Sequence, residues 1–287
     1  VKDLVIPAGA ADTDVYELEI TPENAGWAHS GLRVLALRPG GSHTLDTEGD
    51  EYFLVPLSGS ASVTLGDTTH ELTGRASVFE GPTDFSYLPV RSSVTITSRS
   101  GGRFALCSAR TDRPLPFRYG PREEVPVDLR GAGGSSRQVR NFGAAGVFEA
   151  ASAICVEVIT PGGNWSSYPA HKHDEAGPHE CELEEIYYFE IAPGPQRQPG
   201  LGFHRTSSSP GHEIDVTVEV HDRDTVLVPW GWHGPCAAAP GHDMYYLNVM
   251  AGPGEERAWK ITDHPDQAWI RDTWAGQETD PRLSGGQ

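Results

Sequence analysis

Basic residues are scarce in this chain. Only 22 Lys and Arg stand against 40 Asp and Glu, a formal net charge of −18 over 287 residues. A duplex nucleic-acid binder neutralises phosphates with Lys and Arg, and an anionic membrane surface attracts a protein in the same way. Both partner classes are therefore excluded. Cysteine is scarce too: Cys107, Cys155, Cys181 and Cys236 are scattered, with no CxxC pair and no disulfide-scaffold spacing. The start, Val1-Lys2-Asp3-Leu4, has neither the charged nor the apolar region of a signal peptide. The expected compartment is the reducing cytoplasm. No apolar run approaches the roughly 18–20 residues of a membrane span, and no stretch of about 15 residues keeps a helical apolar period.

What the chain has instead is turns. Gly 33 and Pro 23 make up about a fifth of it, while hydrophobic residues, at 37%, suffice for a core. Short segments rich in branched and aromatic residues lie between those turns, at 32–37, 52–57, 61–65, 93–97 and 104–108. A second set follows at 154–160, 185–191, 201–206, 214–220, 225–228 and 244–250. Pro39-Gly40-Gly41, Ser58-Gly59, Gly66-Asp67 and Gly101-Gly102 read as the turns of the first set. The polar tail 253–287, with Trp259, Trp269 and Trp274, is expected to form short helices packed outside.

The Pro-, Gly- and charge-rich stretch 114–134 reads as a connection between two halves, 1–125 and 126–287. Leu35-Ala36-Leu37-Arg38-Pro39-Gly40-Gly41 is echoed by Glu157-Val158-Ile159-Thr160-Pro161-Gly162-Gly163. Each leads to a strand opening on a glutamate, Glu51 in one and Glu185 in the other. Two copies of one small antiparallel barrel account for the pattern.

The chemistry lies in the second copy. Residues two apart on a strand share a face, so His171 and His173 can aim two imidazoles at one point. Glu185 opens the next long strand, and His233 closes Pro229-Trp230-Gly231-Trp232-His233. Three imidazoles and a carboxylate suit one borderline divalent cation, zinc first, with manganese, iron or nickel as alternatives. Glu180, Glu182 and Glu184 are rival carboxylates; Glu185 is preferred because Ile-Tyr-Tyr-Phe follows it directly. If Glu185 faces inward, so does Tyr187. Asn248 and Tyr246 share the parity of the closing strand. Arg205, Arg137 and, on the rim, Lys172 are candidate anion contacts. His204 is the further histidine whose strand could line the barrel. The first copy has only His43 and no histidine near Glu80–Asp84, so it is expected to bind no metal.

The order HxH, Glu, PxGxH, Asn resembles that of the cupin fold, an all-β double-stranded β-helix or jelly-roll barrel. The implied architecture is two tandem cupin domains: 1–125 degenerate, 126–287 metal-binding. More specifically, the chain resembles the bacterial 5-deoxy-glucuronate isomerases of myo-inositol catabolism, which are bicupins. The resemblance rests on Thr160-Pro-Gly-Gly-Asn-Trp-Ser-Ser-Tyr-Pro-Ala-His-Lys-His-Asp174, Leu183-Glu-Glu-Ile-Tyr-Tyr-Phe189, Asp224-Thr-Val-Leu-Val-Pro229 and Tyr245-Tyr-Leu-Asn-Val-Met-Ala-Gly-Pro253. It is dense over 130–270 and looser before. Two places depart from it: Trp230-Gly231-Trp232-His233-Gly234 and His204-Arg205.

The resemblance implies a metal-dependent aldose–ketose isomerase converting 5-deoxy-D-glucuronate to 5-dehydro-2-deoxy-D-gluconate. Such a step removes a C–H proton and stabilises an enediolate. Glu185, Tyr246 and Tyr187 are the candidates for the proton shuttle, and Arg205, Arg137 and Lys172 for the substrate carboxylate. A hydride shift is the alternative route. The competing functions are a cupin dioxygenase on the same ligands and a non-catalytic sugar-acid binder. A homo-oligomer is expected by analogy alone.

Overall fold

Strands alternate along almost the whole chain because its apolar runs are short and glycines break them; the one α-helix among the described residues is Pro22–Ala25. A computed structural model describes residues 3–283. Its first sheet runs through Arg118–Gly120, Phe85–Leu88, Asp50–Leu65, Gly102–Arg110, Ser30–Leu37 and Tyr16–Ile20, in hydrogen-bonded order. Gly41–Asp46, Ser93–Ser98 and Thr68–Arg75 curl this sheet over. The second half has two sheets. One is Val5–Ile6, Thr225–Val228, Glu184–Ile191, Met244–Ala251, Ile154–Thr160, Arg137–Gly143 and Val127–Arg130. The other is His212–His221, Leu201–Ser209, Trp232–Ala238, His171–Lys172 and Thr262–Asp263, with Trp165–Ser166 against Trp232–Ala238. This is the all-β tandem cupin architecture.

Three apolar cores follow from strand alternation. One fills the first barrel around Leu54, Val63, Ile96 and Leu106. One fills the second around Val156, Tyr187, Phe189 and Tyr246. The outward faces of the same strands, with Phe53, Cys107, Cys155, Tyr188 and Leu247, pack barrel on barrel. Polar groups in that interface are paired. Arg75 bonds Glu157, which also accepts from Tyr245 at 2.8 Å. Arg103 pairs with Glu190 at 2.6 Å and Glu17 at 2.7 Å.

Two expectations change. Ser58-Gly59 is not a turn. Asp50–Leu65 runs through it as one strand, with register shifts between Pro56 and Ser58 and between Gly59 and Ala61. Gly59 has φ 85, and a Cβ there would meet Gly101 O at 2.4 Å, so glycine serves a bulge in which two strands touch. The tail does not stay outside. Thr262–Asp263 pairs with His171–Lys172, and Ala268–Gly276 is a 3₁₀ stretch that follows it. Residues 284–287 of the expected tail lie outside the described residues.

The connection changes barrels between Arg118–Gly120, paired to Phe85–Leu88, and Val127–Arg130, paired to Arg137–Gly143. The first strand also crosses over: Val5 pairs with Val226 and Ile6 with Thr225.

The repeat is real in strand order, but its glutamates align differently. Glu51 lies opposite Ala109 and Glu184 opposite Ala251. The counterpart of Glu51 is thus Glu184, and Glu185 corresponds to Tyr52. In the same register Arg33 corresponds to Val156, since Arg33 faces Leu106 as Val156 faces Asn248. Arg33 donates to the Tyr52 hydroxyl and to Glu19 at 2.7 Å. The first barrel thus holds a tyrosine and a guanidinium in its interior. The one metal-competent cluster among the described residues lies in the second.

Candidate metal centre and cavity

Strand pairing carries the histidines to one place. His171 pairs with His233 across two adjacent strands, and His173 follows two residues on. Glu185 enters from the facing sheet, where Glu185 pairs with Val228 and Met250. Ligand atoms of His173, Glu185 and His233 lie within 4.8 Å of one another. Nε2 of His173 is 3.0 Å, and Nε2 of His233 3.1 Å, from Glu185 Oε2. His171 adjoins this trio; its ring centroid is 4.4 Å from that of His233 and 6.3 Å from that of His173. All four are buried.

Each ring is oriented from behind. Nδ1 of His173 lies 3.0 Å from Leu183 O, that of His233 3.0 Å from Gly231 O, and that of His171 3.4 Å from Pro169 O. A carbonyl accepts, so Nδ1 carries the proton and Nε2 presents its lone pair inward. The lone pairs of His173 and His233 converge on a Glu185 carboxylate oxygen, and His233 Nε2 is buried with no hydrogen-bond partner among the described residues. Lone pairs aimed at one another are satisfied by a cation, so the residues fit a divalent metal. Burial, reinforced by its neighbouring rings, pushes His171 well down.

The rival carboxylates are engaged elsewhere. Glu180 accepts from Lys172 Nζ at 2.8 Å and from Asp174 N at 2.9 Å. Glu184 accepts from the backbone N–H groups of Ala28, His29 and Ser30, and Glu182 is exposed.

A cavity of about 300 Å³ opens beside His171 and Glu185. Tyr187, Tyr246, Asn248 and Arg137 line it. Ser167 Oγ lies 3.3 Å from the Tyr187 hydroxyl and 3.1 Å from that of Tyr246. Burial raises both phenols well above their ordinary value. Asn248 Nδ2 is buried without a partner. Ser167 was not singled out in the sequence; its signal is its neighbour in space, Gly234. A Cβ at Gly234 would meet Ser167 O at 1.8 Å, so a glycine after the last histidine lets this segment approach.

The three candidate cations separate. Arg137 lines the cavity and is buried, with one hydrogen bond to the described residues, Nη1 to Ser135 O at 3.1 Å. Burial pushes its pKa down to about 10. Arg205 does not reach the cavity. His204 and Thr206 take the inward parity of that strand, and Arg205 lies outside, bonded to Thr217 Oγ1 at 2.6 Å. Lys172 points away between its two flanking histidines, to Asp174 at 2.7 Å and Glu180 at 2.8 Å, under Trp232. Neither is placed to hold substrate. His204 is buried against Tyr187, with Nδ1 3.3 Å from Cys236 Sγ and Nε2 2.9 Å from Thr206 Oγ1. It stands outside the ligand cluster, as do Cys181 and Cys236.

The model of the KduI/IolB family matches residues 4–270. The chain belongs to the KduI/IolB family. It is 38% identical to the 5-deoxy-glucuronate isomerase of Geobacillus kaustophilus, over 94% of this chain and 96% of that one. It is likewise 38% identical to the Bacillus subtilis (strain 168) enzyme of the same name, over 88% and 91%. An IolB-like protein of Salmonella typhimurium LT2 superposes with TM-score 0.85 at 36% identity, covering 93% of this chain and 99% of that one. An oxalate decarboxylase of Lactobacillus farciminis superposes with TM-score 0.64 at 13% identity, over 92% and 89%, which shows the shared fold alone.

Proposed function

We propose that this chain is a metal-dependent isomerase of 5-deoxy-glucuronate, moving the carbonyl from the aldehyde carbon to its neighbour to give the ketone 5-dehydro-2-deoxy-gluconate. The observation that carries the reading is one cavity lined both by Glu185, the carboxylate of the metal-competent trio, with His171 beside it, and by the buried Arg137, which has no carboxylate partner among the described residues. A sugar acid has both complements: oxygens for a cation and a carboxylate for a guanidinium. The enzymes of that name match almost the whole chain.

His171, His173, Glu185 and His233 would hold the ion, and a divalent ion there supplies a Lewis acid that draws electron density from the carbonyl. Zinc is our first choice on the three-imidazole, one-carboxylate donor set. The chain's own groups do the rest. Arg137 fixes the carboxylate, so the carbonyl end lies toward Glu185. Tyr187 and Tyr246 keep their protons at neutral pH, because burial disfavours the phenolates. They are therefore donors to oxygens on which charge develops, and Ser167 links them into one relay. Glu185 is the acceptor we assign for the C–H proton, which it returns to the former carbonyl carbon.

All four cysteines are free thiols, compatible with a cytoplasmic enzyme. No helix among the described residues is long and apolar enough to cross a membrane. The test is an assay of ketone formation from 5-deoxy-glucuronate by metal-loaded protein. Silence sinks the isomerase reading, and metal-dependent oxygen uptake with a sugar acid would favour a dioxygenase instead.

A further inference from the structure

The C-terminal stretch brings charge to the cavity from outside both barrels. Arg271, within Ala268–Gly276, lines the same cavity as Arg137. Trp274 links them: the Arg137 guanidinium carbon lies 5.4 Å, and that of Arg271 5.3 Å, from its ring centroid. An aromatic face stabilises a cation without neutralising it, so both charges remain available. Arg137 has no carboxylate partner among the described residues. Arg271 has one, Asp263, held through two bonds of 2.5 and 2.7 Å. Asp263 in turn pairs by backbone with His171. The Trp274 indole Nε1 is buried with no partner among the described residues.

We propose that Arg271 and Trp274 complete the substrate site, Arg271 joining Arg137 as the second guanidinium of a carboxylate clamp with Trp274 as its aromatic support. The clamp rests on the sugar-acid reading above and deepens it. Two guanidiniums offer a carboxylate more donors than one. A buried, uncompensated arginine is costly to keep, and an anion from solution relieves it. In a chain of net charge −18 this local pair gives an anionic substrate a place to sit. Asp263 occupies part of Arg271's donor capacity until the substrate arrives, so it competes with the ligand. The ligand class is an open-chain sugar acid, chosen over the corresponding polyol by its charge.

The test measures binding of D-gluconate and its uncharged counterpart D-glucitol to the metal-loaded, full-length protein by calorimetry, with tryptophan fluorescence alongside. The wild type should bind gluconate at least tenfold more tightly than glucitol and change its fluorescence on binding. Arg271→Met should weaken gluconate at least tenfold and leave glucitol within twofold; Arg271→Lys should recover part of the loss. Asp263→Asn should tighten gluconate about threefold, a sign opposite to that of a generally damaged site. With 5-deoxy-glucuronate, Arg271→Met should raise KM and leave kcat within threefold. Unchanged gluconate affinity in Arg271→Met, or weakened affinity in Asp263→Asn, overturns the clamp. If the wild type binds gluconate over glucitol but fails to isomerise 5-deoxy-glucuronate, the isomerase reading falls and the clamp stands.

Discussion

Glu51 and Glu184 make the same contact in opposite directions. Glu51, from the first barrel, accepts the N–H groups of Ala151, Ser152 and Ala153 at 2.6–2.7 Å, just ahead of Ile154–Thr160. Glu184, from the second, accepts those of Ala28, His29 and Ser30 at 2.7–2.9 Å, where Ser30–Leu37 begins. Each barrel thus supplies the carboxylate that caps a strand entry of the other. Glu51 is fully buried and also accepts from Tyr87. Its removal strands three N–H groups. Glu51→Ala should cost about 3–5 kcal/mol and Glu184→Ala, at the more open site, about 1–3 kcal/mol in urea unfolding. Equal, negligible losses would show that water replaces both carboxylates.

The ligand set predicts how metal content divides between variants. His173→Ala and His233→Ala should lose the bound ion after dialysis, read by elemental analysis, and with it on the order of a thousandfold or more of kcat. Chelation of the wild type should do the same, and a divalent cation should restore activity. His204→Gln should keep the metal, because both ring nitrogens of His204 are engaged by Cys236 and Thr206.

Two arginines that looked alike in the sequence should now differ in kinetics. Arg137→Met removes the buried guanidinium and should raise KM for the sugar acid roughly 30-fold, the size of a lost charge-assisted pair of about 2 kcal/mol. Arg205→Ala, on the outer face, should leave KM within twofold. Reversal of that order would put the carboxylate at the other end of the strand system.

Acid sensitivity should trace to the barrel interface. Burial alone would raise the Glu157 carboxyl, but the charges of Arg75 and Arg140 overcome it and hold Glu157 below its ordinary value. A folded pKa below the unfolded one contributes stability fully above about pH 4.5, and that contribution is lost as pH falls toward the folded value. Urea midpoints measured from pH 7 to pH 3 should therefore fall on the acid side. Glu157→Gln should be less stable by about 3–5 kcal/mol at pH 7, since it strands Arg75, and should show a shallower acid limb. A limb as steep as the wild type's would assign it to other carboxylates.

Much of this site was legible because strand chemistry has a period of two. The glutamate at a strand start and the glycine turn before His233 matched a cluster of His173, Glu185 and His233; of the HxH pair, His171 adjoins that cluster without joining it. The same parity put Tyr187 and Tyr246 on the cavity wall. It failed for Arg205, whose neighbour His204 took the inward face, with a register shift between His204 and Thr206. It failed by one residue for the repeat, where Glu51 corresponds to Glu184. Both glutamates open strands, and their partners lie a hundred residues or more away, beyond what local spacing records. Ser167 and Arg271 were missed for the same reason: each reaches the cavity through tertiary pairing that no short motif encodes.

The pairing of Val5–Ile6 with Thr225–Val228 has a consequence for synthesis on the ribosome. Val5 meets its partner some 220 residues after it is made. The first barrel can close while the rest of the chain emerges, but its leading strand waits with unpaired backbone until the second barrel is nearly finished. Nascent chains that stop before residue 225 should keep this edge open to foreign strands. Docking of Val5–Ile6 is therefore among the last events of folding, and a mark of completion that protease sensitivity near residue 5 would report.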